Sequence, residues 1–379
     1  MDILCFCHLR WNFVYQRPQH LLGRFAKQSR VFVIEEPIFD SNAAYLDITL
    51  NKENIWTLVP RLPPGLSEVE IILQQQVLLK EWVSKADLKN YIAWYYSPMA
   101  IPLGEFLPDA ELIVYDCMDE LSAFKNAPGS LKEKEIMLLR KADLVFTGGY
   151  SLYEAKKNTH PEIYPFPSSI DKKHFSKARS TTNVPFDQLD LPHPRIGFFG
   201  VIDERFDIEL LDKLATIKPE WQFIIIGPVV KIDPTSLPAA QNIHYLGSKS
   251  YEELPDYLAG WDVAIIPFAD NESTRFISPT KTPEYLAGGI PVVSSSIRDV
   301  VNPYGEAGLV YIADTPDAFI KGIEWGLNAR DHPEWLKAVD AFLDGISWDI
   351  TWVGMMLHIR EKLKIKQSTN RSQKQNDYV

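Results

Sequence analysis

The chain has 379 residues, more than the roughly 250–300 that one hydrophobic core organises, so two domains are the first expectation. With 46% hydrophobic, 12% aromatic and 23% charged residues it has the composition of a globular protein, which excludes a disordered chain, a collagen-like fibre and a coiled coil. Lys and Arg number 39 against 50 Asp and Glu, and the resulting net charge of −11 carries no nucleic-acid footprint, although a local basic patch can still bind an anion.

The N-terminus, MDILCFCHLRW, lacks a basic segment followed by an apolar one and reads as a first strand rather than a signal peptide. Apolar runs at Ile3–Cys7, Val31–Glu35, Ile55–Val59, Tyr91–Tyr95, Leu112–Tyr115 and Leu144–Thr147 do not alternate, as expected of strands covered on both faces. Helical patterns at Pro18–Gln28, Glu68–Ala86, Leu131–Lys141 and Ser151–Asn158 lie between them, so the first half reads as parallel βαβ units. Residues 176–194, polar and proline-containing, read as a linker. A second series follows, with strands at Arg195–Phe199, Trp221–Ile226, Ile243–Leu246, Val263–Pro267, Pro291–Ser294 and Gly308–Ile312. Its helices are Ile208–Ile217, Tyr251–Leu258, Thr282–Ala287, Ala318–Asn328, Glu334–Leu343 and Trp348–Leu363.

The expected architecture is α/β, with two doubly wound Rossmann-like domains facing a cleft. They span 1–175 and 195–345, followed by a helix over 346–366 and a disordered tail over 367–379. No run approaches the ~18 apolar residues of a membrane span. The cysteines Cys5, Cys7 and Cys117 are too few for a disulfide framework and fit a reducing cytoplasm. No His, Cys and Asp spacing suggests a metal site.

The stretch 262–295 is the most informative. A buried strand ends at Pro267, a loop carries Arg275 and Lys281, and Ser278, Pro279 and Thr280 precede a helix with Glu284 one turn inside. Two cations beside free N–H groups suit a diphosphate, and a carboxylate can accept from the paired hydroxyls of a ribose. The competing reading is an ordinary loop with Glu284 solvated. In the first half the strand ends carry His8 and Arg10, Glu35 and Glu36, Tyr96, Asp116 and Asp119. Asp116 and Asp119 either orient substrate hydroxyls or supply a base, or else cap the turn at 120–124. Between Ile3 and Ile34 there is no acid, but His8, Arg10, Arg17, His20, Arg24, Lys27 and Arg30 are present. This is either a patch for an anionic acceptor, such as a lipid-linked diphosphate or a membrane surface, or a solvated helix face.

The run Glu284–Tyr285–Leu286–Ala287–Gly288–Gly289–Ile290–Pro291–Val292–Val293 resembles the nucleotide-sugar motif of GT-B glycosyltransferases of the family 4 type. RIGFFGVIDERFD (195–207), WQFIIIGP (221–228) and the segment 242–268 occur in that family's order. WNFVYQRPQHL (11–21) resembles a bacterial subgroup linked to cell-surface polysaccharide assembly. The resemblance implies transfer of a sugar from a UDP- or GDP-linked donor to a saccharide or lipid-linked acceptor, without a metal or other cofactor and with retention of anomeric configuration. On its first reading the basic N-terminal patch also suggests peripheral contact with the inner face of a membrane. Glu284 would bind the ribose. Gly247 and Ser248 would approach the base. Ser278, Pro279, Thr280, Lys281 and Arg205, with the loop opening at Gly200, would hold the diphosphate. Independently of the resemblance, the basic patch makes Arg10 and Arg17 candidates to meet the acceptor, and strand-end placement makes His8, Tyr96, Asp116 and Asp119 candidates to face the reacting groups. Two departures stand out. The family's first acid falls on Phe276, with Glu272 nearby, and the family's glycine-rich first loop is here His8–Leu9–Arg10–Trp11. Epimerase or phosphorylase chemistry on the same fold, or a silent nucleotide-sugar-binding protein, remain alternatives. A nicotinamide oxidoreductase is disfavoured because no G-x-G-x-x-G follows a strand.

Overall fold

The unbroken apolar runs form the centres of two sheets. The structure, a computed structural model, describes residues 1–105, 107–330 and 332–376, with side chains described through Thr369. The first sheet contains β1 (Asp2–Phe6), β2 (Val31–Ile34), β3 (Tyr45–Leu50), β4 (Ile55–Arg61), β5 (Tyr91–Tyr95), β6 (Leu112–Cys117), β7 (Leu144–Thr147) and β8 (Ile163–Pro165), in the order β3-β4-β2-β1-β5-β6-β7-β8. The second contains β9 (Arg195–Phe199), β10 (Gln222–Ile226), β11 (Ile243–Gly247), β12 (Val263–Ile266), β13 (Val292–Ser294) and β14 (Val310–Ile312), in the order β11-β10-β9-β12-β13-β14. Every pairing is parallel except β3 with β4. Strands such as β2, β5 and β12 are buried at every position because helices cover both faces of each sheet.

Strand order reverses at β1 in the first sheet and at β9 in the second. In doubly wound folds the crevice at such a point, beyond the carboxyl ends of the strands, is where ligands bind. The two crevices face each other across the cleft between the domains.

The helix Trp348–Asn376 returns to the first domain. Its Trp348, Met355 and Ile359 are fully buried in the same cluster as Leu21, Leu22, Phe25 and Trp94. The Trp348 N–H donates to the Ile170 carbonyl (3.2 Å), so the two chain crossings between domains lie side by side. Arg24 to Asp349 (2.8 Å), Lys362 to Glu162 (3.3 Å) and Lys366 to Asp143 (2.9 Å) fasten the helix along that domain. No helix among the described residues is long and apolar enough to cross a membrane.

Four expectations change. β3 and β8 were not among the expected strands; β3 is an antiparallel edge strand, mostly exposed, whose sequence YLDITL offers no apolar run, and β8 is a three-residue strand at the opposite edge. Residues 176–194 are not a loose connector. Gln188, fully buried, donates Nε2–H to the Tyr257 carbonyl (3.1 Å) and accepts from Trp261 Nε1 (2.9 Å), so polar side chains anchor the segment on the second domain. The helix expected at Tyr251–Leu258 is Leu254–Ala259, which frees Tyr251 from helical geometry. The tail expected to be disordered from residue 367 continues the last helix to Asn376; a helix already nucleated on a packed stretch extends through Lys, Gln and Ser without further burial. Residues 377–379 lie outside the described residues.

Candidate active site

Two neighbouring strands of the second sheet end in bare backbone. Gly200 follows β9 with φ +147°, and a Cβ there would fall 2.1 Å from Lys281 Cε. Gly227 follows β10 with φ +141°, and its Cβ would fall 1.9 Å from the Gly200 carbonyl oxygen. Glycine is therefore needed at both places, once for backbone conformation and once for close approach. The space so kept is filled on one side by Lys281, whose ammonium lies 5.6 Å from the Phe198 ring and 5.7 Å from the Phe268 ring.

Lys281 and Glu284 sit one turn apart on the helix Lys281–Ala287 and therefore share a face. Tyr285 holds that helix to β9, its hydroxyl oxygen accepting from the Phe199 N–H (2.9 Å). Glu284 is 5% exposed. Burial pushes its carboxyl above the usual range, and the Lys281 cation draws it back. Burial and then Arg205 lower the Lys281 ammonium, while Glu284 supports it. Arg205 is fixed by Asp203 through Nε (2.9 Å) and Nη2 (2.6 Å), and its guanidinium lies 5.2 Å from the Phe124 ring of the first domain. Two partly desolvated cations and a carboxylate thus converge on one wall, an arrangement that awaits an anion and a hydroxyl donor.

That wall lines a cavity of about 570 Å³ between the domains. Gly200, Arg205, Ser248, Thr280, Lys281 and Glu284 line it from the second domain. The first domain covers it with the loop Trp11–Gln16 and the tip of the β3–β4 hairpin, Asn51–Glu53. The loop is held by the Trp11 N–H on Glu35 Oε1 (2.9 Å) and by Gln19 Nε2 on the Trp11 carbonyl (2.9 Å). In the hairpin tip Asn51 Oδ1 accepts from the N–H groups of Glu53 (3.0 Å) and Ile55 (2.9 Å). Across the mouth Tyr15 stacks on Tyr251 at 4.3 Å, and Lys52 pairs with Glu252 at 2.9 Å.

Several expected site residues lie elsewhere. Asp116 is fully buried, and Arg17 grips it through Nε (3.0 and 3.1 Å) and Nη2 (2.8 Å). Arg17 also donates Nη1–H to the Phe166 carbonyl (2.6 Å) and is itself 3% exposed. The pair is a brace within the first domain, so Asp116 has no route to a substrate and Arg17 none to an acceptor. Tyr96 is buried beside it, at 1% exposure. Arg10 closes onto Glu35 (3.1 Å) and the carbonyls of Glu36 (2.5 Å) and Pro37 (3.1 Å), which turns it to ordering the chain after β2. Arg24 pairs with Asp349 and Arg30 with Asp2, so acids outside the acid-free N-terminal segment meet two of its cations. Ser278 stitches the domains together, its carbonyl accepting from the Ser168 hydroxyl and its Oγ from the Ser168 N–H (3.3 Å). Ser278, Pro279 and Gly247 are not part of the cavity wall, and Arg275 lines a separate groove together with Arg298.

His8 and Asp119 are likewise absent from the cavity wall but lie near enough to the second domain for Lys231 and Arg205 to act on them. Burial, then Lys231, lower the His8 imidazole to about 4, so it is neutral at pH 7. Asp119 is half-buried; burial raises its carboxyl and Arg205, from the opposite domain, lowers it. Phe276, where the resemblance led to an acid, packs against the first domain's core, and Glu272 is exposed. Tyr15, Tyr251 and the hairpin tip escaped the sequence reading; each acts through a contact between distant segments that no local pattern encodes. Among the described residues no group of three His, Cys, Asp or Glu is placed to hold a metal ion.

Residues 193–329 match the model of a family described as Glycosyl transferases group 1. The chain is 24% identical over 220 residues to the putative teichuronic acid biosynthesis glycosyltransferase TuaH of Bacillus subtilis (strain 168), over 54% of this chain and 55% of that protein. It thus spans about half the length of the curated relative it matches. Among solved structures, sucrose-phosphate synthase from Thermosynechococcus elongatus superposes with a TM-score of 0.69 at 15% identity, covering 95% of this chain and 98% of the other. Anabaena Alr3699/HepE in complex with UDP superposes with a TM-score of 0.65 at 13% identity, covering 95% and 100%. At these identities the likeness establishes the fold, two Rossmann-like domains about a cleft.

Proposed function

We propose that this chain, which has the GT-B fold and a glycosyl transferases group 1 region at residues 193–329, transfers a sugar from a nucleoside diphosphate donor to an acceptor hydroxyl. The observation that carries this reading is the pairing of buried Glu284 with half-buried Lys281 on one wall of the interdomain cavity, beside strand ends kept bare by Gly200 and Gly227. In it the diphosphate lies against Lys281, Arg205 and Thr280. Glu284 accepts from the ribose hydroxyls, and the base lies toward Ser248.

As the bond from the anomeric carbon to the diphosphate breaks, negative charge grows on the leaving oxygen. Lys281 and Arg205 already stand where that charge develops, so they stabilise the transition state more than the ground state. The loop Trp11–Gln16 keeps water from the reacting carbon. Asp116 is excluded as a base by its burial and its bonds to Arg17. The acceptor enters from the first domain's side, where neutral His8 and Asp119 remain available to position a hydroxyl.

The complex of HepE with UDP supports a uridine donor, and the name of TuaH supports a polysaccharide acceptor in cell-surface assembly. Retention of configuration is the expectation for this fold type; detection of a new glycosidic bond with release of UDP separates transfer from epimerisation. Thermal unfolding in the presence of UDP tests the reading first. A ligand selective for the folded chain raises the melting temperature, and Glu284→Ala should remove most of that rise. Absence of any rise with UDP, GDP or their sugars contradicts it.

A further inference from the structure

Tyr251 follows β11 in a turn that ends where the helix Leu254–Ala259 begins. Its ring is held on both faces. Tyr15 of the first domain stacks on one side at 4.3 Å and 23°, and His174 on the other at 4.1 Å and 10°. Phe175 meets its edge at 5.5 Å. Its backbone is pinned as well, since His174 Nε2 donates to the Tyr251 carbonyl (2.9 Å). The ring therefore cannot swing, and the position of its hydroxyl is set before any ligand arrives.

That hydroxyl is buried and has no hydrogen-bond partner among the described residues. Leaving a hydroxyl so placed costs free energy that a ligand oxygen can recover. Tyr251 lines the same cavity as Glu284, and the Glu284 carboxylate adds to burial in raising the phenol above its ordinary range. The phenol is thus a permanent donor, and the carboxylate across the cavity is an acceptor.

We propose that the Tyr251 hydroxyl is a ligand for the ribose of the bound nucleotide and makes the site select ribonucleotides over deoxyribonucleotides. A donor and an acceptor that share a cavity without bonding each other fit a pair of adjacent hydroxyls. One sugar hydroxyl gives its proton to Glu284 while an oxygen of the pair accepts from Tyr251. Lacking the diol, a ligand leaves both protein groups buried and unmatched, and that mismatch is what produces discrimination. Tyr15 belongs to the first domain, so this selection is complete only when the domains are together.

The inference rests on the nucleotide reading above, and calorimetry with the full chain separates the two. UDP and 2′,3′-dideoxy-UDP are titrated into the wild type and into Tyr251→Phe, which keeps the stacked ring and removes only the hydroxyl. The expected result is a roughly 3- to 10-fold weaker Kd for UDP in Tyr251→Phe, with no change for the dideoxy analogue. An unchanged melting temperature without nucleotide confirms that the fold is intact. If UDP binds both proteins equally, or if both nucleotides weaken by the same factor, the ribose contact is wrong while the nucleotide site stands. If the wild type binds neither UDP nor any other nucleoside diphosphate, both readings fall together.

Discussion

Burial decides which charged residues are available for chemistry here. Asp116 and Arg17 are removed from solvent together and satisfy each other, whereas buried Glu284 and half-buried Lys281 stand with incomplete compensation beside an open cavity. His8 shows the same pressure in a form that titrates. Its imidazole, lowered from 6.5 to about 4, binds a proton more readily in the unfolded chain than in the folded one. Its contribution is therefore fully present above pH 6.5 and is lost as the pH falls toward 4, up to roughly 3 kcal/mol at the acid end. Denaturant unfolding of wild type and His8→Asn across pH 7 to 4 should show the steeper acid loss in the wild type; parallel curves would mean that His8 titrates normally. Little of this was legible from residue types. Asp116 at a strand end and Lys281 at a helix start both look available in sequence, and the partner that neutralises Asp116 lies 99 positions away.

At the scale of elements, the sequence located nearly every strand of both sheets, because strands covered on both faces must be apolar at successive positions. The edge strands β3 and β8 were missed for the converse reason, being partly solvated and paired on one side only. The hairpin that β3 forms with β4 matters to the cavity, since its tip supplies Lys52 to the pair with Glu252. Both of those side chains are largely exposed, so the pair guides closure more than it stabilises it. Strand ends carry stricter demands. Gly200→Ala introduces a methyl that must displace the Lys281 side chain and strains a backbone at φ +147°. The variant should lose most UDP affinity by calorimetry while its circular dichroism spectrum stays native; retained affinity would show that Lys281 can be moved without loss.

At the scale of the whole molecule, the last helix belongs by sequence order to the second domain and by packing to the first. Trp348, Met355 and Ile359 are fully buried there, and their side chains together contribute on the order of 5–8 kcal/mol of burial. A chain ending at residue 345 should therefore lose the cooperative unfolding of its first domain and expose Leu21, Leu22 and Phe25, read as dye binding or aggregation. A truncated chain that unfolds at the wild-type temperature would deny the helix that role. The amphipathic stretch to Leu363 was visible in the sequence. Its extension to Asn376 was not, because that part is polar and rests on helix propagation alone.

All of these scales meet at the wall formed by Gly200, Arg205, Lys281 and Glu284. A crystal structure of the chain with UDP examines it most directly. The diphosphate should lie against Lys281 and Arg205 with the ribose hydroxyls on Glu284. Nucleotide bound away from the interdomain cavity, or within it with Glu284 making no contact to the sugar, would overturn the proposed activity at its root.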